Sequence, residues 1–166
     1  MAYHVRFLNI TDFYPKPLFD IDKIIRLYSQ LSPNSITDLS TVDTQEVINY
    51  FIDNIESNRY DYAVAVYKRD MYSDVEIVGI GTVLYENKLI HNLGICAHIE
   101  DVVVDAEHRK NRLFTNIIKL LVKECKKKGC YKMILNCNEK LQQTYLDVLR
   151  NEDINVKTDC CVMAYL

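Results

Sequence analysis

The sequence predicts an α/β fold, a mixed central sheet flanked by helices, and three observations carry that expectation. Apolar residues change period along the chain, alternating in short runs and recurring every three or four residues elsewhere. The run Cys96 to Val104 is apolar apart from His98 and the pair Glu100-Asp101, and a helix-period segment and a second short apolar run follow it. That order is the signature of two parallel strands joined by a right-handed crossover. Finally, 166 residues with 49% hydrophobic and 26% charged side chains read as one globular domain with an ordinary core. No linker, repeat or low-complexity tract divides residues 1–166.

Taken in order, His4-Val-Arg-Phe-Leu8 alternates and predicts a first strand. Pro15 and Pro17 hold the next segment out of helix. Asp20 caps a helix over Ile21 to Leu31, apolar at 21, 24, 25, 28 and 31, and Ser32-Pro-Asn-Ser35 ends it. Asp43 with Glu46 reads as a capping box opening a second helix, with Val47, Ile48, Phe51, Ile52 and Ile55 on one face. Tyr60 to Tyr67 and Val75 to Tyr85 are strands joined by Lys68 to Asp74, a hairpin by length and composition. Cys96 to Val104 is the central strand, buried on both faces.

Asp105 to Arg112 is a charged turn. Leu113 to Lys128 then predicts a helix with Ile117, Leu120, Leu121 and Cys125 inward. Lys126-Lys-Lys128 lies at the negative end of its dipole, and Gly129 at its stop. Tyr131 to Cys137 is a strand, Glu139 to Arg150 a helix, and Cys160 to Leu166 a closing strand.

Composition excludes several classes of function. No apolar run approaches the ~20 residues of a membrane span, and Met-Ala-Tyr-His-Val-Arg has no signal-peptide core. Six cysteines without a CxxC pair predict buried free thiols in a reducing cytoplasm, not a disulfide framework or a metal site. A net charge of −3 gives no general attraction to nucleic acid. Lys110, Arg112, Lys119, Lys123 and Lys126 to Lys128 then read as a solvated helix face.

The chemistry is concentrated in Glu100-Asp101. Two carboxylates inside an apolar strand are costly unless hydrogen-bonded, charge-paired or open to a cleft. Buried acids gather at working sites; the plainer alternative is a strand that meets solvent at its midpoint. Ligands of such sheets bind where neighbouring strands part, beside the N-terminus of the following helix. The acidic pair and the charged turn both fall there.

Four strings extend this reading: Glu86-Asn-Lys-Leu-Ile-His91, His98-Ile-Glu-Asp-Val-Val-Val104, Gly129-Cys-Tyr-Lys-Met-Ile-Leu135 and Cys137-Asn-Glu-Lys140. They resemble the eukaryotic glucosamine-6-phosphate N-acetyltransferases of the GNAT (acyl-CoA N-acyltransferase) superfamily. The resemblance implies the GNAT fold, a homodimer, and acetyl transfer from acetyl-CoA to the amine of glucosamine 6-phosphate. It implies that Glu100 and Asp101 bind and deprotonate the amino sugar, and that Tyr145 protonates the CoA sulfur. The backbone of Val102, Val103 and Val104 would hold the acetyl group and pantetheine arm, and Arg109, Lys110 and Arg112 the pyrophosphate. Lys88, His91, Tyr131 and Lys132 would hold the sugar phosphate, the last two from a partner subunit, with Asn136 at the sugar. Each has a plainer alternative: Lys88 and His91 as hairpin-end polar residues, Tyr131 in the core, Lys132 solvated, and Tyr145 packed with Leu141, Leu146 and Val148.

The turn departs from the family pattern, Arg/Gln-x-x-Gly-x-Gly/Ala. Here it reads Arg109-Lys-Asn-Arg-Leu-Phe114, with Lys110, Arg112 and Phe114 at glycine positions. Glycine lets backbone N–H groups approach a phosphate; lysine and arginine offer charge instead. Phe114 either packs inward with Leu113 and Ile117 or lies across the turn and excludes the pyrophosphate. Asn136 replaces an aspartate, Leu141 an asparagine, and Tyr165 lies roughly where the family has a phosphate-gripping arginine. These departures predict weak acetyl-CoA binding or none. Two readings stay open: a working acetyltransferase with a charged turn, and a catalytically inactive descendant with a structural or protein-binding role and an unknown protein partner.

Overall fold

A computed structural model of the chain describes residues 2–31, 42–152 and 154–158. Alternation along one strand sets the layers: Tyr62, Val64 and Val66 face one side of a sheet, and Ala63, Ala65 and Tyr67 the other. Five strands make that sheet in sequence order: β1 (Ala2–Phe7), β2 (Tyr60–Lys68), β3 (Glu76–Asn87), β4 (Ile95–Val104) and β5 (Lys132–Leu135). The first four run antiparallel and β5 runs parallel to β4. The helices α1 (Ile21–Leu31) and α2 (Thr44–Glu56) cover the Tyr62 side. A single turn, α3 (Ile90–Leu93), connects β3 to β4; α4 (Leu113–Lys127) and α5 (Glu139–Arg150) cover the Ala63 side.

The predicted elements form with shifted ends. Asp20 Oδ1 accepts from the Asp22 N–H and opens α1. Asp43 caps α2 through the Gln45 N–H at 2.8 Å, one residue short of the capping box expected with Glu46. Inside α4 the fully buried face is Ile117, Ile118, Leu121, Val122 and Cys125, while Leu120 is only half-buried. The helix stops at Lys127, and Gly129 follows with φ 71°. β5 is shorter than Tyr131 to Cys137, and the turn α3 was not foreseen. The predicted closing strand Cys160 to Leu166 and the break Ser32 to Ser35 lie outside the described residues.

Two irregularities in β4 matter most. Ile80 pairs with Val103 and Thr82 with Glu100, so Gly81 alone faces Asp101 and Val102. This is a β-bulge, and Asp101 takes the left-handed φ of 52° within it. The expectation of a strand buried on both faces holds at its ends, at Cys96, Ala97, Val103 and Val104, and fails at Glu100 and Asp101, which are exposed. Secondly, β5 pairs with β4 only from Cys96↔Lys132 to Ile99↔Leu135. Beyond that the two strands part.

Gly81 makes room for both the bulge and α4. A Cβ there would stand 2.7 Å from Ile117 Cγ2, 3.3 Å from Leu121 Cδ1 and 3.4 Å from Val102 Cγ2. Gly81→Ala should therefore destabilise by about 1–3 kcal/mol through overpacking, and Ile117→Ala by about 2–5 kcal/mol through a cavity. Because one methyl fills the space the other vacates, urea unfolding of the double variant should show less loss than the two single losses summed.

Candidate active site

The bulge turns Glu100 and Asp101 outward where β4 and β5 part. Each carboxyl keeps an edge in solvent, yet the packed elements behind it desolvate the charged form. Burial raises the Glu100 carboxyl above its ordinary range, with the Asp101 charge adding and His98 opposing. Burial alone raises Asp101. Thr82, opposite Glu100, is 5% exposed and its Oγ1 has no hydrogen-bond partner among the described residues. Tyr28 of α1 stands beside it without reaching bonding geometry, its phenol raised chiefly by burial and further by Asp101. Sequence reasoning placed Tyr28 on the apolar face of its helix. A hydroxyl-tipped side chain on a core face was the available signal.

Across the opening stands α5. Tyr145 is 7% exposed, and burial, with smaller effects from Cys137 and Glu100, pushes its phenol up to about 12. Tyr145, Cys137 and Asn136 line a cavity of ≈ 190 Å³. The ring of Phe114 lies edge-on to Tyr145, centroids 4.8 Å apart at 70°, in the core layer that also holds Leu113 and Ile117. Of the two arrangements open to Phe114, the inward one is adopted, and Tyr145 is its closest aromatic partner.

The turn before α4 keeps a glycine-like shape without glycine. Lys110 has φ 67° and Arg112 φ 58°, both left-handed. Such a conformation costs a residue with a Cβ on the order of 1–3 kcal/mol. Arg109 donates from Nε to the Val104 carbonyl at 3.2 Å, which ties the turn to the end of β4. The backbone of Val102 to Val104 has no β5 partner. These features fit acetyl-CoA: strand backbone without a β5 partner for an amide-bearing arm and a cationic turn at a helix N-terminus for a diphosphate.

The other predicted residues collect at the opposite end of β4. Lys88 Nζ lies 2.5 Å from Glu86 Oε1, and His98 Nε2 lies 3.0 Å from Glu86 Oε2. Lys88 first, then His98, hold the Glu86 carboxyl below its usual range, and Glu86 raises Lys88 in turn. His91 stacks on Tyr131 with centroids 4.1 Å apart, and Lys132 Nζ stands 6.0 Å from the same ring. A Cβ at Gly94 would come within 2.9 Å of Tyr131 Cδ1 and the His91 carbonyl, so that stack needs glycine. One chain thus gathers Lys88, His91, Tyr131 and Lys132. The expectation that Tyr131 and Lys132 serve the site of a partner subunit concerns a second copy and stands beside this intrachain grouping.

Residues 24–148 match the acetyltransferase (GNAT) family. The chain belongs to that family. Glucosamine 6-phosphate N-acetyltransferase from Arabidopsis thaliana is 35% identical over 95 residues, 57% of this chain and 62% of that protein, just under two thirds of its length. Glucosamine 6-phosphate N-acetyltransferase 1 from Oryza sativa subsp. japonica is 33% identical over 132 residues, 79% of this chain and 75% of that protein. The crystal structure of the Arabidopsis thaliana enzyme superposes with a TM-score of 0.74 at 26% identity, covering 99% of both chains. The five-stranded mixed sheet flanked by helices is that of the family fold.

Among the described residues no helix is long and apolar enough to cross a membrane, and no group of three His, Cys, Asp or Glu stands ready for a metal ion. Cys96, Cys125, Cys130 and Cys137 are free thiols. Lys119, Lys127 and Lys128 pair with Glu152, Glu124 and Asp61, as a solvated helix face would. A groove of ≈ 620 Å³ between β1 and α4 contains none of the predicted site residues.

The acidic pair should reveal itself in stability. A carboxyl whose pKa is raised by folding is penalised once pH climbs through that raised value, and not below the unfolded value of about 4. Asp101→Asn should therefore raise Tm at neutral pH, asparagine tolerating the left-handed φ as aspartate does. The gain should vanish by about pH 3, where the native carboxyl is also neutral. Thermal scans across that range check both halves.

Proposed function

We propose that the chain is an N-acetyltransferase, moving acetyl from acetyl-CoA to the amine of glucosamine 6-phosphate. One observation carries the reading: the turn at Lys110 and Arg112 keeps its left-handed shape although its glycines are gone. The names of its relatives and the nearness of Glu100 to both Asp101 and Tyr145 support it. In this reading Asp101 and Glu100 hold the substrate ammonium and take one proton from it, a task for which raised carboxyls are suited. The freed amine lone pair forms the new C–N bond as the thioester C–S bond breaks. Tyr145 gives its phenol proton to the departing sulfur and recovers one from the nitrogen, which sheds its second proton as the amide forms. Val102, Val103 and Val104 hold the arm through their backbone, and Arg109, Lys110 and Arg112 face the diphosphate. Lys88, His91, Tyr131 and Lys132 receive the sugar phosphate, with Asn136 at the sugar.

A second copy completes the proposal. Leu89, Ile90 and Leu93 are 90%, 61% and 71% exposed, an apolar patch beside Tyr131, and a homodimer would cover it. The free thiols suit the cytoplasm, and residues 1–166 act as one domain.

One contact favours a second reading, that of an inactive descendant with a protein-binding role. Phe114 occupies the space beside the Tyr145 ring. Calorimetry separates the two: acetyl-CoA bound with micromolar or better affinity supports the enzyme, and no heat at millimolar ligand supports the descendant. Glu100→Gln should lower kcat by about 10²–10⁴-fold with an unchanged circular dichroism spectrum. In the natural enzyme kcat/KM should fall on acidification at a pH above the ordinary carboxylate value of about 4, because the base must be ionised. Light scattering should give twice the 19.4 kDa chain mass, and Leu89→Asp with Leu93→Asp should return it to one.

A further inference from the structure

Lys110 and Arg112 occupy backbone conformations that glycine alone adopts freely. Something outside the two residues must hold them there. Asn111, between them, folds back over the turn. Its Nδ2 donates to the carbonyls of His108 at 3.0 Å and Arg109 at 3.3 Å, and to Tyr3 Oη at 3.1 Å. Tyr3 Oη, accepting from Asn111, has its own proton to give to His108 Nδ1, 3.2 Å away. Tyr3 is fixed in turn. It lies on β1, paired with Tyr67 of β2, and the two rings lie 5.1 Å apart. The Tyr67 ring also packs on His108 at 4.7 Å. A strand at the edge of the sheet thus reaches the turn through one phenol and one amide.

We propose that Tyr3 and Asn111 are positioning residues for the diphosphate of coenzyme A, locking the turn in the shape that glycines would otherwise supply. The inference rests on the acetyl-CoA reading above. Neither side chain need touch the ligand. Released from the lock, a lysine or arginine spends most of its time outside the left-handed region. The turn must then be re-formed on binding, and apparent affinity falls by the fraction of time it is correctly shaped.

The test is calorimetry with coenzyme A and with S-acetylpantetheine, which lacks the diphosphate. The proteins are the natural chain, Tyr3→Phe, Asn111→Ala, the pair Lys110→Gly with Arg112→Gly, and that pair combined with Tyr3→Phe. Tyr3→Phe keeps the ring stacking and removes only the hydroxyl. It should weaken coenzyme A about three- to tenfold, the range of one or two lost hydrogen bonds, and leave S-acetylpantetheine unchanged. KM for acetyl-CoA should rise with kcat unaltered, and Asn111→Ala should act in the same direction. In the glycine background the Tyr3→Phe effect should shrink to less than about twofold, since glycine needs no lock. An equal loss for both ligands, an undiminished loss in the glycine background, or no loss at all overturns the inference while the acetyl-CoA reading stands. No coenzyme A binding by the natural chain overturns both.

Discussion

One extra residue in β4 governs the rest of the molecule. Where Gly81 faces both Asp101 and Val102, the strand bends and its carboxylates leave the core. Had the pleat continued evenly, either Glu100 or Asp101 would point into a packed layer, because adjacent side chains of a strand take opposite faces. The bulge lets adjacent acids share one opening. It depends on a glycine opposite, since a Cβ at that β3 position would meet Ile117, Leu121 and Val102 together. Packing of α4 against Gly81 and exposure of the acids opposite it are therefore one constraint.

The turn before α4 shows a different solution to a common demand. Backbone that must approach an anion closely is most simply built from glycine, which has no Cβ to strain. Here the same shape is made from residues that carry charge, with stabilisation drawn from side chains around it. Such a turn trades conformational freedom for Coulombic attraction, which reaches further but is screened by salt. Phe114, the substitution least compatible with a phosphate, avoids the conflict by joining the core against Tyr145.

The sequence made most of the fold legible because helix and strand periods are strong where one face is buried. The face of α4 and the carboxylate pair were readable in this way, as was the crossover from β4 to β5. The boundaries of β5 and the turn α3 were not, because neither has the length to establish a period. Three consecutive left-handed residues, His91, Asn92 and Leu93, are marked only weakly, the first two by types that tolerate such a φ. The site was legible as a list of residues but not as a geometry. At Lys110 and Arg112 only the absence of glycine was readable, because residue type alone does not report φ, and Tyr3, whose hydroxyl meets the turn through Asn111, is far away in sequence. Tyr28 and Cys137 were missed since a lone tyrosine or thiol beside apolar neighbours reads as packing.

Glu86 divides its two oxygens between Lys88 and His98. Lys88 is consequently no free cation awaiting an anion. Anything drawn to it must displace a carboxylate already in contact, and a singly charged group offers no more than Glu86 does. A dianion offers twice the charge, and Glu86 keeps His98 as a second partner when it yields Lys88. A monoanion would thus compete with Glu86 on equal terms for Lys88, and a dianion on better ones.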